Sequence, residues 1–206
     1  CGGVESMTRV TTGFDPMPYP YTENENPNVY FTMGTTAENV AKQYSISRTE
    51  QQEFAISSHK KAFDAQSKGN FNNEIVAIGN CSQDSNIRPN SNQEKLDSLK
   101  LAFDQNGTVT AATSSPLTDG AAATLICEEQ YAKNNNLNIL AKIVSTSVQG
   151  CKADTMGLGP IGASQKALER ADLNIKDIDI VELNEAFASQ SLACIKDLGI
   201  DKNKVN

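Results

Sequence analysis

The chain has 206 residues, of which 38% are hydrophobic and 21% are charged, and its formal net charge is −7. This negative charge argues against nucleic acid or an anionic membrane surface as the main partner. The length suffices for one large domain or two small ones with a buried core, and no apolar run approaches the length of a transmembrane span.

Five cysteines are spread widely along the chain and form no C-x-x-C pair. They are Cys1, Cys81, Cys127, Cys151 and Cys194. Their odd number and wide spacing argue against a disulfide framework or a zinc site and favour a reducing compartment, so no metal site is predicted. Because a free cysteine is most often a small buried hydrophobe, we interpret Cys1, Cys151 and Cys194 as structural.

The first half of the sequence predicts an irregular loop followed by two helices. Residues 11–32 are rich in Pro, Asn, Tyr and Glu, which is typical of a loop. A first helix is predicted over residues 36–44. A second helix begins after Ser47, because Ser47 and Glu50 have the spacing of a capping box, and it ends at Gly69.

The second helix carries a face of small and apolar residues, which predicts a buried side. They are Phe54, Ala55, Ser58, Ala62 and Ala65. His59, the only histidine of the chain, is followed by two lysines, and we interpret it as part of a solvated helix face. Residues 70–116 are mixed, with a strand candidate at Glu74–Ile78.

From Asp119 onwards the sequence alternates between strand and helix patterns. The predicted elements are a strand at Ala121–Cys127, a helix at Glu128–Lys133, a strand at Ile139–Val148, a helix beginning at Pro160, a strand at 178–183 and a helix at 185–198 that stops at Gly199. Such alternation indicates an α/β layered fold, to which the first half adds a largely helical insertion.

Asn184 stands where the last predicted strand turns into the last helix. Ligands and reacting groups lie at the carboxyl ends of strands in open α/β sheets. An asparagine there can orient a water or donate to an oxygen that develops negative charge. Alternatively, Asn184 caps the helix, with Glu185 in its first turn. Spacing alone favours the cap.

Eight short motifs follow one another over essentially the whole chain. They are Gly2-Gly3-Val4-Glu5-Ser6-Met7, Met33 to Ala41, Ile87-Arg88-Pro89, Leu101-Ala102-Phe103, Gly107 to Ala111, Thr118 to Ala123, Met156 to Pro160, and Asn184-Glu185-Ala186-Phe187-Ala188. In sequence and in order they resemble motifs of the thiolase family, whose members cleave or form 3-ketoacyl-CoA. Each motif by itself is weak, whereas the ordered set is specific.

The resemblance implies a partial thiolase-like αβαβα sandwich of the α/β class, with an inserted, mostly helical loop domain. Residues 1–10 would end the N-terminal half, and residues 11–117 would form the loop domain, which binds coenzyme A (CoA). Residues 118–135 would supply the last strand and helix of the N-terminal half, and residues 136–206 would begin the C-terminal half.

The resemblance also implies that the parent protein is an acyltransferase. It would cleave 3-ketoacyl-CoA with CoA to acetyl-CoA and a shortened acyl-CoA through an acyl-cysteine, as in fatty acid β-oxidation. The family's nucleophilic cysteine, its Gly-His-Pro histidine and its second catalytic cysteine have no counterpart among these residues. The chain therefore resembles a central fragment, and we expect it to be inactive alone.

By motif position, the resemblance assigns one catalytic residue and seven CoA contacts. Asn184 would hold a water that contributes to an oxyanion hole, and Arg88 would approach the nucleotide end of CoA. Ala186 and Phe187 would line the pantetheine channel. The remaining contacts would be Met33, Phe103, Ala111 and Ser115. CoA is thus expected as a substrate, without a covalently bound cofactor.

Three other functions remain open from the sequence. Ser114-Ser115 and Met156 to Pro160 favour a degradative thiolase over a biosynthetic acetoacetyl-CoA thiolase, whereas a non-catalytic CoA-binding module or a ketoacyl synthase are further alternatives. The resemblance implies a homo-oligomer, either a dimer or a tetramer, or membership of a multienzyme complex. It implies a cytoplasmic location in a bacterium, or a mitochondrial or peroxisomal one in a eukaryote.

Overall fold

A computed structural model describes residues 1–10 and 20–206, so residues 11–19 of the loop predicted at 11–32 lie outside the described residues. The described remainder of that segment is partly helical rather than irregular, because Pro20–Glu25 forms a short helix. Two strands and eight α-helices are described, besides short 3-10 turns. They are β1 (Gly2–Ser6), α1 (Met7–Val10), α2 (Pro20–Glu25), α3 (Met33–Tyr44), α4 (Arg48–Ser67), α5 (Gln93–Asp97), β2 (Asp119–Ala123), α6 (Glu129–Asn134), α7 (Gly159–Ala171) and α8 (Ala188–Leu198).

The ends of the two long N-terminal helices follow local chemistry. Thr32 caps α3, since its hydroxyl accepts the amide of Thr35 at 3.2 Å, and the helix therefore starts before residue 36. The predicted capping box of α4 is confirmed. The Ser47 hydroxyl accepts the amide of Glu50, and the Glu50 carboxylate accepts the amide of Ser47 at 2.8 Å.

The centre of the structure is the contact between α3 and α8. Val40 and Ala193 are fully buried there, and small side chains let the two helices approach closely. The Ser189 hydroxyl donates to the carbonyl of Ala37 at 3.0 Å, and the phenol of Tyr44 donates to the carboxylate of Asp197 at 2.5 Å. This hydrogen bond raises the pKa of Tyr44 to about 12.

A second apolar cluster fixes the segment that precedes α8. Ile195, Ile200 and Val205 are buried, and Leu183 packs against them. Val181 forms a single parallel bridge with Val205, in which the amide of Val181 donates to the carbonyl of Lys204 at 2.8 Å. The strand predicted at 178–183 is wrong, because one bridge is all the pairing that the described residues offer it.

Two other predicted strands are also absent from the described residues. Residues 139–148 form no strand, and within them the hydroxyls of Ser145 and Ser147 donate to the carbonyls of Ala167 and Ala163 on α7 at 2.7 and 2.5 Å. Residues 74–78 form turns and one isolated bridge. A strand forms only when a neighbouring segment pairs with its backbone. An alternation of apolar residues does not show whether such a segment is present.

The sheet of the described residues is one antiparallel pair, in which Gly2 lies opposite Ala123 and Ser6 opposite Asp119. The second strand begins two residues earlier and ends four earlier than predicted. The helices predicted at 128–133 and at Pro160 are confirmed within a residue, and α8 begins at Ala188 rather than 185.

The structure mixes helices with a small sheet, as a partial α/β fold. No helix in the described part of the chain is long and apolar enough to span a membrane.

The carboxylate of Glu38 fastens α3 to the loop that leads into residues 111–115. It accepts the amides of Thr108 and Val109 at 2.9 Å each. A Cβ at Gly107 would lie 2.1 Å from an oxygen of this carboxylate, so the approach requires glycine. Val109 is fully buried, so water cannot replace the carboxylate as the acceptor for its amide.

We expect Glu38→Ala to free this loop, because it leaves two amides without an acceptor. The loss of hydrogen bonds to a charged group costs about 2 kcal/mol, which corresponds to roughly 30-fold faster amide exchange at Thr108 and Val109. Hydrogen–deuterium exchange measures the exchange rates of these two amides. The control is Glu53→Ala, on the exposed face of α4. Unchanged exchange in the Glu38 variant would contradict the role of the clamp.

Large apolar side chains remain exposed around the small sheet and along residues 137–150. The most exposed include Leu140 at 90%, Val148 at 86%, Val4 at 81% and Leu125 at 79%. Unpaired strand-like segments and apolar patches favour association.

Because of these exposed apolar side chains, we expect the isolated chain to self-associate in size-exclusion chromatography with light scattering. A monodisperse monomer that melts cooperatively would contradict this expectation.

Candidate functional site

A groove of about 1310 Å³ lies beside α4. Its walls come from α4 and from three connecting segments, at 86–91, 111–116 and 180–185. Arg88, Ala111, Ser115 and Asn184 all line it. Four of the eight site residues predicted from the sequence therefore share one groove, although they lie up to 96 positions apart in the sequence.

Asn184 is exposed on the wall of this groove and does not cap α8. The N-cap position of α8 is Phe187, which makes no side-chain capping bond. Instead, residues 186–187 pair with residues 114–115, where the amide of Ser115 donates to the carbonyl of Ala186 at 2.9 Å. The capping interpretation is wrong, because this pairing holds the chain extended until α8 begins.

Four predicted site residues lie outside the groove lining, and two of them share an aromatic contact. They are Met33, Phe103, Ala186 and Phe187. The rings of Phe103 and Phe187 meet edge to face, with centroids 6.0 Å apart. A Cβ at Gly34 would lie 2.1 Å from the ring of Phe103, so glycine lets this ring lie against α3. Met33 and Phe103 are about half exposed, and they form a surface rather than core.

Arg88 lines the same groove as Asn184 and lies in an exposed loop. Its Nη1 donates to the carbonyls of Ser85 and Ile87 at 2.6 and 3.2 Å, which orients the guanidinium within its own loop. Its backbone amide donates to Nδ1 of His59 at 3.3 Å. The loop is thus attached to α4 through a histidine.

His59 and Ser58 are groove residues that the sequence interpretation missed. His59 is half-buried rather than solvated, and burial, followed by the nearby charge of Arg88, lowers its pKa. The hydroxyl of Ser58 donates to the carboxylate of Glu185 at 2.6 Å. The sequence did place Ser58 on the apolar face of α4, but part of that face lines the groove instead of a core.

The other candidate nucleophiles are outside the groove lining. Cys194 is buried, its thiol approaches the carbonyl of Gly157 at 3.5 Å, and burial raises its pKa, which disfavours the thiolate. Cys1 and Cys151 are exposed, so the interpretation as buried hydrophobes is wrong for these two. Within residues 1–10 and 20–206, no group of His, Cys, Asp or Glu side chains could hold a metal ion.

Comparison with known proteins defines the family of the chain. Residues 1–130 match the family model of the thiolase N-terminal domain, and residues 137–206 match that of the thiolase C-terminal domain. The chain therefore belongs to the thiolase family. The family predicted from the ordered motifs is confirmed.

The relatives include a 3-ketoacyl-CoA thiolase of Shewanella loihica, which is 46% identical over 209 residues, covering 97% of this chain and 54% of the relative. The dimeric peroxisomal thiolase of Saccharomyces cerevisiae superimposes with a TM-score of 0.94 at 39% identity, over 99% of this chain and 55% of that one.

The human mitochondrial 3-ketoacyl-CoA thiolase in complex with CoA gives a TM-score of 0.87 at 35% identity, over 100% and 56% of the two chains. The chain thus spans about half the length of the relatives it matches. These superpositions confirm that the fold is thiolase-like, although only part of the layered sandwich is formed here.

We expect His59 to titrate below the ordinary histidine value of about 6.5, because burial and the charge of Arg88 both disfavour the imidazolium. Since the unfolded chain takes up this proton first, the stability contributed by neutral His59 is lost as the pH falls through 6.5 towards the folded pKa. NMR titration of the single histidine measures the pKa, and Arg88→Gln should raise it. A pKa at or above 6.5 would contradict this environment.

Proposed function

We propose that the chain supplies the CoA groove and the oxyanion-site asparagine of a 3-ketoacyl-CoA thiolase. The observation that carries the proposal is the convergence of Arg88, Ala111, Ser115 and Asn184 on one groove. Its volume is sufficient for an extended ligand of the size of CoA. The names of the relatives supply the reaction, which is thiolytic cleavage of 3-ketoacyl-CoA.

The proposed chemistry has two half-reactions. A cysteine thiolate from outside these 206 residues adds to the C3 carbonyl of the substrate, and the C2–C3 bond breaks to leave acyl-cysteine. The carbanion at C2 takes up a proton and departs as acetyl-CoA. The thiol of a second CoA then gives its proton to a base. The resulting thiolate attacks the acyl-cysteine, which releases shortened acyl-CoA and restores the cysteine.

Asn184 acts in this scheme as the holder of a water. Its side-chain amide is exposed on the groove wall, two residues before the segment that pairs with Ser114 and Ser115, so an NH₂ or carbonyl group is available for a water in the groove. That water donates to the thioester oxygen as negative charge develops there. In this scheme the apolar side chains of Met33, Phe103, Ala186 and Phe187 border the path of the pantetheine arm.

Arg88 acts at the nucleotide end of the same ligand. A guanidinium can fork to a phosphate or stack on adenine. Lys61 on α4 and Lys95 on α5 also line the groove. They add local positive charge to a protein whose net charge is negative. We also propose that the parent protein assembles with copies of itself, since one relative is described as a dimeric thiolase.

A non-catalytic CoA-binding module is the second candidate, and the content of the chain favours it for these residues alone. Their single histidine is engaged with the backbone of Arg88, and the groove lining includes no cysteine. A hybrid protein separates the two candidates. In it, residues 1–206 replace the equivalent span of the Shewanella loihica thiolase.

We expect the hybrid to cleave 3-ketoacyl-CoA and the 206-residue chain alone to give no turnover. In the hybrid, Asn184→Ala should lower kcat by about 100-fold, which is typical of the loss of one oxyanion-site donor. Asn203→Ala, on an exposed turn outside the groove lining, is the control. A folded hybrid that binds CoA without thiolysis would favour the module, and turnover by the isolated chain would contradict the proposal.

We expect Arg88→Ala in the hybrid to weaken CoA binding by about tenfold, because a charge-assisted contact to phosphate is lost. Isothermal calorimetry with CoA measures the dissociation constant. Arg9→Ala, which removes an exposed arginine near β1, should leave it unchanged. An unchanged dissociation constant for the Arg88 variant would remove Arg88 from the nucleotide site.

A further inference from the structure

One turn of α4 contacts two of the segments that line the groove. Ser58 and His59 are adjacent in the sequence, and each contacts a different connecting segment. The hydroxyl of Ser58 donates to the carboxylate of Glu185 at 2.6 Å, next to Asn184, whereas Nδ1 of His59 accepts the backbone amide of Arg88 at 3.3 Å. The helix therefore attaches separately to the proposed catalytic wall and to the proposed nucleotide wall.

We propose that Ser58 is a positioning residue which, through Glu185, fixes the side chain of Asn184 in the groove. The inference rests on the proposed function, because Asn184 is taken as the holder of the oxyanion water. Ser58 itself touches neither the water nor the thioester in this scheme. It acts through the residue that follows Asn184.

The packing around Asn184 explains why such an anchor is needed. Leu183 packs against the cluster of Ile195 and Val205, so the chain is held immediately before Asn184. After it, residue 186 is held through its carbonyl by the amide of Ser115. The exposed side chain of Asn184 is not fixed by packing, and its direction follows from the backbone on either side.

The Ser58–Glu185 hydrogen bond completes the restraint on the far side of Asn184. Both partners are half-buried, and a hydroxyl donor to a carboxylate is stronger than a neutral hydrogen bond. Without it, the carboxylate of Glu185 is free to turn into the groove and rotate the peptide that joins it to Asn184. A displacement of about 1 Å in a positioning group can cost as much as 100-fold in rate.

The kinetic test uses the hybrid protein. Ser58→Ala should lower kcat by about tenfold and leave the KM for CoA within about twofold, since the nucleotide wall is held by His59 instead. Ser58→Thr, which keeps the hydroxyl, should recover most of the rate. Ser57→Ala, an exposed serine one position earlier on α4, is the matched control and should match the unsubstituted hybrid.

A double-mutant cycle distinguishes positioning from a general loss of structure. If Ser58 acts through Asn184, Ser58→Ala should change kcat by less than about twofold in a protein that already carries Asn184→Ala. If the two substitutions lower kcat independently, so that their effects multiply, the proposal is overturned. An equal loss of rate in the Ser57 variant would also overturn it.

A second measurement does not depend on activity. In the 206-residue chain, Ser58→Ala should accelerate hydrogen–deuterium exchange over residues 182–187 and leave α3 unchanged. Unaltered exchange over 182–187 overturns the positioning role even if the hybrid is active. Conversely, a hybrid without thiolysis overturns the proposed function, and the exchange measurement still decides whether Ser58 holds this segment.

Discussion

A short backbone pairing between residues 114–115 and 186–187 determines where the site lies. The amide of Ser115 donates to the carbonyl of Ala186, and Ser114 lies opposite Phe187. This pairing joins two parts of the chain separated by about 70 residues in the sequence. It delays the start of α8 until Ala188, and it leaves Asn184 on the groove wall rather than in a helix cap.

The helices make this pairing possible by fixing both of its sides. The packing of α3 on α8 through Val40 and Ala193 sets the position from which the 186–187 segment departs. On the other side, Glu38 on α3 holds the amides of Thr108 and Val109 and so directs the chain into residues 111–115. A single helix, α3, therefore supports both segments of the pairing, which gives the groove its defined shape.

Features of the fold that depend on neighbours in the sequence could be predicted, and those that depend on distant partners could not. The capping box at Ser47 and the stop at Gly199, whose φ of +64° suits glycine, are local chemistry. The segment at 139–148 has strand composition but forms no strand, and Ser145 and Ser147 bond to α7, because strand formation requires a partner that composition does not specify. The motif order predicted the family, whereas Ser58 and His59 were missed because one helix face serves both core and groove.

The central claim is that one groove receives CoA between the walls that carry Arg88 and Asn184. A crystal structure of the hybrid protein with bound CoA tests it most directly. The account predicts that the guanidinium of Arg88 lies against a phosphate or the adenine, and that the thiol of CoA points towards a water held by Asn184. CoA bound outside this groove, or bound in it with its thiol directed away from Asn184, would contradict the account.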